Sequence, residues 1–380
     1  MSRTAADATA GGPRRASAGR PPTAARSRAP GGGARWHDRR VLRWSDLSEV
    51  PPDFGPCVVT IGNFDGVHRG HASVLRRMAD DARAAGSAAV AVTFTPHPLQ
   101  VHQPGHAPEL LTGDADRLDL LEQTGLDAVL LLPYTLDFAR QSPRDFVVRY
   151  LVEGLRARTV VVGRDVRFGW QNSGDLSTMV ALGREHGFEV EVIDDITPST
   201  AAGGAGPAAA PGQHRRWSST WVREALAAGD VVQAAHVLGR PHRIRGVVVH
   251  GDARGRELGF PTANLAQDAD GMVPADGVYA GWLRRTRRAD GTPVGPDEPA
   301  LPAAVSIGTN PTFDGVQRRV EAYVLDRTDL DLYDEEIVLD LVERLRATLR
   351  FDSVDALLTQ MDDDVARVRT ILAPGERRPS

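Results

Sequence analysis

Residues 58–71 read Val58-Val59-Thr60-Ile61-Gly62-Asn63-Phe64-Asp65-Gly66-Val67-His68-Arg69-Gly70-His71, an apolar run opening into a glycine-rich loop with two histidines. An uninterrupted apolar run of this length suits a strand covered on both faces. Gly62 and Gly66 let the backbone approach a ligand closely, and Gly70-His71 opens the helix that the pattern predicts over 70–85. The free N–H groups of a helix start already attract anions. Two imidazoles three residues apart at that mouth can both donate to phosphate oxygens, stabilising charge that builds up during displacement at phosphorus. Alone, HxGH could be a surface turn with incidental histidines; the strand before it and the helix after it favour the anion site.

The alternation continues outward. Apolar runs at Val58–Ile61, Ala88–Phe94, Ala128–Leu132, Thr159–Val162 and Glu189–Ile193 predict strands, with helices near 70–85, 114–124, 142–154 and 174–186. Continuous apolar strands alternating with helices imply a parallel, doubly wound, Rossmann-like sheet, whose ligands sit at the carboxyl ends of the strands. Residues 197–216 (TPSTAAGGAGPAAAPGQHRR) read as a flexible low-complexity insertion. A helical segment Ser219–Ala228 follows, and the alternation stops near Gly239–His242. Strand-like runs at Ile244–His250, Val278–Leu283, Ala304–Ile307, Val320–Leu325 and Glu336–Val342 then predict a small antiparallel sheet or barrel. An amphipathic helix Ser353–Ile371 closes it, with Ser353 as N-cap and Ala356, Leu357, Met361, Val365 and Val368 on one face. The fold class is α/β plus β. Three regions are expected: an extension 1–40, a parallel-sheet domain 41–240 and a barrel domain 241–380.

Composition narrows the chemistry. The 380 residues suit two or three units, and 41% apolar with 25% charged side chains is an ordinary soluble balance. All 45 basic residues are arginine; lysine does not occur. That excludes a lysine-bearing phosphate loop, the protein-kinase lysine and a lysine Schiff base. Cys57 stands alone, and no Cys/His set has zinc spacing. No apolar run approaches the ~20 residues of a membrane span. The arginine pairs at Arg14–Arg15 and Arg39–Arg40 precede no apolar stretch, so a cytoplasmic setting without a membrane partner is expected. Residues 1–40 hold nine Arg against Asp7 and Asp38, a local +7, so residues 41–380 carry −12 of the total −5. A basic arm for nucleic acid is one reading. A disordered extension is the other, favoured because the tail has no aromatic spacing or helical periodicity until Trp36, and the acidic body would repel a phosphate backbone. The oligomeric state is left open.

Two further stretches carry chemistry. Ser218-Ser219-Thr220-Trp221-Val222-Arg223 starts a helix whose first-turn hydroxyls and N–H groups, with Arg223 one turn on, form a second anion clamp. The plain alternative is Ser219 as N-cap and Arg223 as a solvated charge. In the barrel half, residues 250–264 (HGDARGRELGFPTAN) place glycines at 251, 255 and 259, suiting a loop that wraps phosphate. Thr262 and Asn264, two apart on an extended segment, point the same way and suit Mg²⁺; the plain alternative is an ordinary turn with hinge glycines. Glu321 lies inside an apolar strand, where a carboxylate needs a reason; a salt bridge to a nearby arginine would be one.

GNFDGVHRGH, SSTWVR, VVGRDVRFG at 161–169, TFTPHP at 93–98 and LDFARQSPRDFV at 136–147 resemble the adenylyltransferase half of the bacterial bifunctional riboflavin kinase/FAD synthetase family. The resemblance implies that His68 and His71 contact ATP phosphates, with Gly62, Phe64, Asp65 and Gly70 shaping that pocket. It places Ser219, Thr220 and Arg223 on the outgoing pyrophosphate, and His97, Pro98, Asp165 and Phe168 beside the flavin or adenine. The sequence departs from the family at Thr95 (commonly an acid), Val166 (commonly aromatic) and Trp221, and 197–216 is longer than usual. GFPTAN, ADGVYAGW, AAVSIGTNPTF, VEAYVLD and LRFDSVDALLTQMDDD resemble the kinase half. This implies Thr262 and Asn264 as Mg·ATP ligands, Glu321 as base, and Asn310 and Thr312 beside the flavin. Asp334 replaces a usual Gly.

The family's activity would be two-step: Mg·ATP phosphorylates riboflavin to FMN in the barrel, then a second ATP adenylylates FMN to FAD with release of pyrophosphate. A phosphomonoester, with a second pKa near ~6, is already an anionic nucleophile, whereas an alcohol needs a base. One essential carboxylate is therefore expected in the barrel and none in the other pocket. The alternative is a nucleotidylyltransferase for another phosphorylated substrate, with the barrel only binding flavin.

Overall fold

The computed structural model describes residues 41–194, 215–251, 259–295, 297–312 and 315–373, with the side chains of 310–312 and 315–317 outside the described set. The expected insertion 197–216 and the extension 1–40 fall almost wholly outside these residues.

Six strands, β1 (Leu42–Trp44), β2 (Cys57–Ile61), β3 (Ala88–Thr95), β4 (Ala128–Pro133), β5 (Ala157–Gly163) and β6 (Glu189–Ile193), form one sheet in the order β1-β4-β3-β2-β5-β6. Every pairing is parallel. Alternate residues feed two cores: Val59, Val90, Leu130 and Val160 face one side, Val58, Ala89, Val129 and Val161 the other. Helices α1 (Arg69–Ala84), α2 (Pro98–His102), α3 (Asp114–Glu122), α4 (Leu136–Ala139), α5 (Pro143–Phe146, continued as a π-helical stretch Val147–Gly154) and α6 (Leu176–His186) connect the strands. α1 and α3 cover one face through Leu75, Met78 and Leu121; α5 and α6 cover the other through Phe146, Leu151 and Met179. The chain winds from β2 through β3 to β4, then returns to place β5 on β2's other side. The loops after β2 and β5 thus diverge and open a crevice at the strands' carboxyl ends.

The second sheet is a closed barrel of β7 (His242–Val249), β8 (Thr262–Leu265), β9 (Gly277–Arg287), β10 (Leu301–Thr312), β11 (Gly315–Val324) and β12 (Glu336–Arg346), in the order β10-β11-β8-β7-β12-β9. Ile244, Leu265, Tyr279, Val305, Ala322 and Leu339 are among its buried residues. The same cluster takes in Val222 and Leu226 of α7 (Ser219–Ala227) and Val231, Ala234 and Val237 of α8 (Val231–Leu238). This helix pair therefore shares its core with the barrel.

The last helix, α9 (Val354–Ile371), is capped by Ser353 as expected and packs through Val368 and Leu372 on Ala280, Leu325 and Leu345. Its face differs from the expected one at two positions. Ala356 is exposed, and Asp364 is buried because its carboxylate receives Arg346 Nε at 2.9 and 3.0 Å and Nη2 at 2.6 Å.

The two sheets meet along an ionic seam. His242 and Ile244 on β7 are buried, while the alternate Arg243 and Arg245 reach Asp116 on α3 at 3.2 Å (Arg243) and at 2.7 and 2.9 Å (Arg245). Arg243 also forks onto Asp340 at 2.7 and 3.0 Å, and Arg245 donates to Glu336 at 2.9 Å. Burial works to raise the Asp116 pKa, but its bonds to Arg245 and Arg243 outweigh that and hold it below the usual range.

Candidate active sites

The loop after β2 has an unusual backbone. Phe64 lies at φ 48°, Gly66 at 79° and Val67 at 36°, in the region that a β-branched residue rarely enters. At Gly66 a Cβ would also stand 2.8 Å from the tip of the Leu111 side chain, so glycine is favoured there by both backbone and space. Asp65, 3% exposed, accepts the backbone N–H groups of Leu111 at 2.9 Å and Thr112 at 3.1 Å, and pairs with Arg223. It anchors the loop from within. Phe64 folds back over Gly62 and meets His71 edge-on, ring centroids 5.3 Å apart.

His68 caps α1: its Nδ1 accepts the His71 backbone N–H at 3.3 Å, which leaves Nε2 as the donor nitrogen of the neutral ring. The His68 and His71 rings stack with centroids 3.7 Å apart. Burial, then the charges of His71, Arg240 and Arg216, push the His68 pKa down to about 2; burial pushes His71 down to about 4. Both imidazoles are therefore neutral at pH 7 and offer N–H donors rather than fixed positive charge. At Gly70 a Cβ would meet both the His68 ring and the Trp217 Cβ at 3.1 Å, so glycine leaves room for the two.

α7 docks on the same loop. Its N-cap is Ser218, not Ser219, because Ser218 Oγ accepts the Trp221 N–H at 3.2 Å while Ser219 Oγ donates to the Asp65 carbonyl at 2.8 Å. Thr220 is exposed on the first turn. Arg223 donates Nε to the Glu109 carbonyl at 2.9 Å and Nη2 to Asp65, which among the described residues leaves Nη1 as the guanidinium nitrogen without a partner.

On the crevice's flanks, His97 caps α2 through Nδ1, which accepts the Leu99 N–H at 3.2 Å, and Pro98 is the first helical residue. Asp165 is exposed in the loop after β5 and pairs with Arg216 at 3.3 Å. Phe168 is buried against Phe146, centroids 6.3 Å apart, so it supports the crevice wall from the core side.

Three groups here had no signal in the sequence reading. Arg117 looks like a surface residue of a predicted helix, yet it is 2% exposed and donates to the carbonyls of Asn63 at 3.1 Å and Phe94 at 2.8 Å. Asp114 neutralises it at 2.6 Å. Arg216 falls inside the low-complexity stretch but reaches Asp165 and lies close enough to depress His68. Only the tertiary fold brings these together.

In the barrel, register does the assembling. Glu321 on β11 stands opposite Asn264 on β8, and its Oε2 lies 3.4 Å from Thr262 Oγ1, the donor in that contact. Asn264 Nδ2 lies 3.4 Å from Thr262 Oγ1. The alternate residues Ala263 and Leu265 are buried, so Thr262 and Asn264 do share the other face. Among the described residues Glu321 makes no ion pair, which removes the salt-bridge explanation for its place in the strand. Gly251 lies against Asn264, whose carboxamide a Cβ would meet at 2.6 Å; Gly259 takes φ 85°. Gly255 lies outside the described residues. Asn310 and Thr312 end β10, their side chains undescribed. A cleft lined by Val248, Pro261, Val324, Leu332 and Tyr333 adjoins Thr262.

Known proteins match both halves. The family model for FAD synthetase covers residues 50–202, and that for riboflavin kinase covers 238–372. The bifunctional riboflavin kinase/FMN adenylyltransferase of Escherichia coli (strain K12) is 36% identical over 324 residues, 85% of this chain and 95% of that protein. The chain belongs to the bifunctional riboflavin kinase/FMN adenylyltransferase family. A relative from Pseudomonas fluorescens is 36% identical over 87% of this chain and 98% of its own. A solved structure described as a macrolide-efflux protein from Streptococcus pneumoniae matches with a TM-score of 0.71 at 28% identity, over 87% of this chain and 99% of that one. No helix among the described residues is long and apolar enough to cross a membrane.

The chain's departures from this family have local explanations. Thr95 donates to Asp114 at 2.5 Å, so a carboxylate from α3 stands where the family commonly has an acid in the strand. Val166 packs into the sheet core. Trp221 stacks on Trp217 with centroids 5.8 Å apart, and the Arg215 guanidinium lies 5.0 Å from its ring centroid. Asp334 has φ 61°, the conformation for which the family's glycine is suited, and Asp is among the residues that tolerate it.

Proposed function

We propose that the two activities of this family are divided between the two sheets, riboflavin phosphorylation in the barrel (241–380) and FMN adenylylation in the parallel-sheet half (41–240). The observation that carries this is the convergence of Thr262, Asn264 and Glu321 on adjoining barrel strands, separate from the His68–His71 loop.

The barrel donor set fits Mg²⁺. Among the described residues no cluster of three His, Cys, Asp or Glu could hold a metal by itself. A hydroxyl, a carboxamide oxygen and one carboxylate suit an ion that keeps waters and takes its other ligands from nucleotide phosphates. Thr262 and Asn264 would hold it, and bound there it would neutralise charge on the phosphates. Glu321 takes the proton from the ribityl hydroxyl as that oxygen attacks the γ-phosphorus and ADP leaves. On this reading Gly251 and Gly259, with Gly255 between them in sequence, belong to phosphate binding, and Asn310 and Thr312 to flavin binding.

In the other half the FMN phosphate, already anionic, attacks the α-phosphorus of ATP and pyrophosphate leaves. His68 and His71 donate N–H groups to phosphate oxygens from a loop shaped by Gly62, Phe64, Asp65 and Gly70. Ser219, Thr220 and Arg223 hold the departing pyrophosphate. His97, Pro98, Asp165 and Phe168 flank the flavin. Neutral imidazoles in a dry site suit this role, since they need no reorganisation as charge develops. A cytoplasmic setting without nucleic-acid or membrane partners fits a protein that consumes ATP and holds its one thiol buried, Cys57 being pushed up to about 12 by burial.

The test supplies riboflavin, ATP and Mg²⁺ and separates the flavins by chromatography. Glu321→Gln should form no FMN yet convert supplied FMN to FAD, and His71→Ala should stall at FMN. Loss of both activities in each folded variant would overturn the division.

A further inference from the structure

Backbone held at unfavourable φ persists only where its surroundings over-determine it. The phosphate loop, with Phe64 and Val67 both at positive φ, is such a segment. Its carbonyls are gripped from two directions. Arg117 holds the Asn63 carbonyl from within the parallel-sheet half. Arg240 holds the other end: Nη2 donates to the Gly66 carbonyl at 2.6 Å, and Nη1 to the Val67 carbonyl at 3.3 Å and the Leu238 carbonyl at 3.4 Å.

Arg240 does not belong to the loop's own sheet. It follows Gly239, the left-handed C-cap of α8, and precedes β7 of the barrel by one residue. Its position is fixed by the seam, where Arg243 and Arg245, three and five residues on, are bound to Asp116. Burial first, and then the charge of Arg243, lower its pKa to about 10, so it remains a cation at neutral pH. Its charge also helps keep His68 neutral. Val67, whose carbonyl it holds, immediately precedes His68.

We propose that Arg240 is a positioning residue for adenylyl transfer, through which the barrel side of the molecule fixes the Gly66–Val67 carbonyls and hence the presentation of His68. This rests on the reading that the loop handles ATP phosphates. Without the guanidinium, two carbonyls lose their partner and the strained turn relaxes. A displacement of about 1 Å at a reacting group can cost on the order of a hundredfold in rate.

The experiment uses the full chain and measures FMN-to-FAD and riboflavin-to-FMN conversion on each preparation. Arg240→Ala should lower kcat for FAD formation by about tenfold or more, leave KM for FMN within about threefold, and leave riboflavin phosphorylation within about twofold. Millimolar guanidinium should restore part of the lost FAD synthesis in Arg240→Ala and none in His71→Ala. FAD synthesis within twofold of wild type would overturn the proposal. So would a parallel fall of both activities and of melting temperature without guanidinium rescue. Should Arg240→Ala fail to fold, Arg240→Lys keeps the charge but cannot span both carbonyls; undiminished FAD synthesis by that variant would overturn the proposal equally. Wild-type chain that makes no FAD from FMN would instead refute the assignment of the loop, a result separable from all of these.

Discussion

Asp334 shows how a single residue can be legible in sequence as a departure and explicable only in structure. It is exposed, sits at φ 61°, and its backbone N–H is engaged with the Val248 carbonyl at 2.9 Å. An L-residue pays a steric cost there that glycine avoids, partly offset by glycine's greater freedom when unfolded. Asp334→Gly should therefore raise stability by roughly 0.5–1 kcal/mol, read as a higher urea midpoint at unchanged slope. The proposed site residues His68, His71, Thr262, Asn264 and Glu321 were visible because each sits in a short motif whose spacing encodes shared direction. Arg117, Asp114, Arg216 and Arg240 were not. An arginine that donates to a loop carbonyl has the same local sequence as one in solvent, and only the distance across the fold tells them apart.

At the scale of elements, the long periodic segments were readable and the short ones were not. The apolar period of two in the barrel and the continuous apolar runs of the parallel sheet follow from burial on one face or on both. β1 has three residues, too few for any period, and is held by Trp44 packed edge-on against Phe54 at 4.8 Å. α8 escaped the reading, although Gly239 supplies a clear left-handed stop. The buried face of α9 contains a carboxylate that a hydrophobic period cannot anticipate. Asp364 is 4% and Arg346 16% exposed, so removing the acid strands a poorly solvated cation. Asp364→Ala should cost about 2–3 kcal/mol, and substituting Ala at exposed Asp363 next to it under about 0.5 kcal/mol. Comparable losses from the two would show that the pair does not fasten the helix.

For the whole molecule, four histidines couple stability to pH, His97 being held below the usual range chiefly by burial. Burial lowers His68 to about 2 and His71 to about 4; His242, held by the Met272 carbonyl at 2.7 Å, also falls to about 4, chiefly through burial. Their folded pKa values lie below the unfolded value near ~6.5, so the unfolded chain takes up protons first as the medium acidifies. Stability is complete above pH ~6.5 and is lost as pH falls from there towards about 4, by up to about 1.4 kcal/mol per unit for each histidine. Denaturant melts at pH 7.0 and 5.5 should differ by a few kcal/mol, and His242→Gln should reduce that difference. An unchanged midpoint would contradict burial of the neutral rings.

The α7–α8 pair has a consequence for dissecting the chain. Val222, Leu226, Val231 and Val237 belong to the barrel's buried cluster, while Ser219 and Arg223 on α7 reach Asp65 in the loop after β2. A fragment beginning at residue 215 should therefore melt cooperatively, and one beginning at 241 should expose apolar surface and bind a hydrophobic dye. Equal behaviour would place the pair outside the barrel's cooperative unit. On the division proposed above the hairpin serves two catalysts at once, so natural selection cannot tune the packing beneath one reaction without nudging the proposed pyrophosphate grip of the other. Gene fission at this junction would leave one of the two descendants without a part that both had inherited.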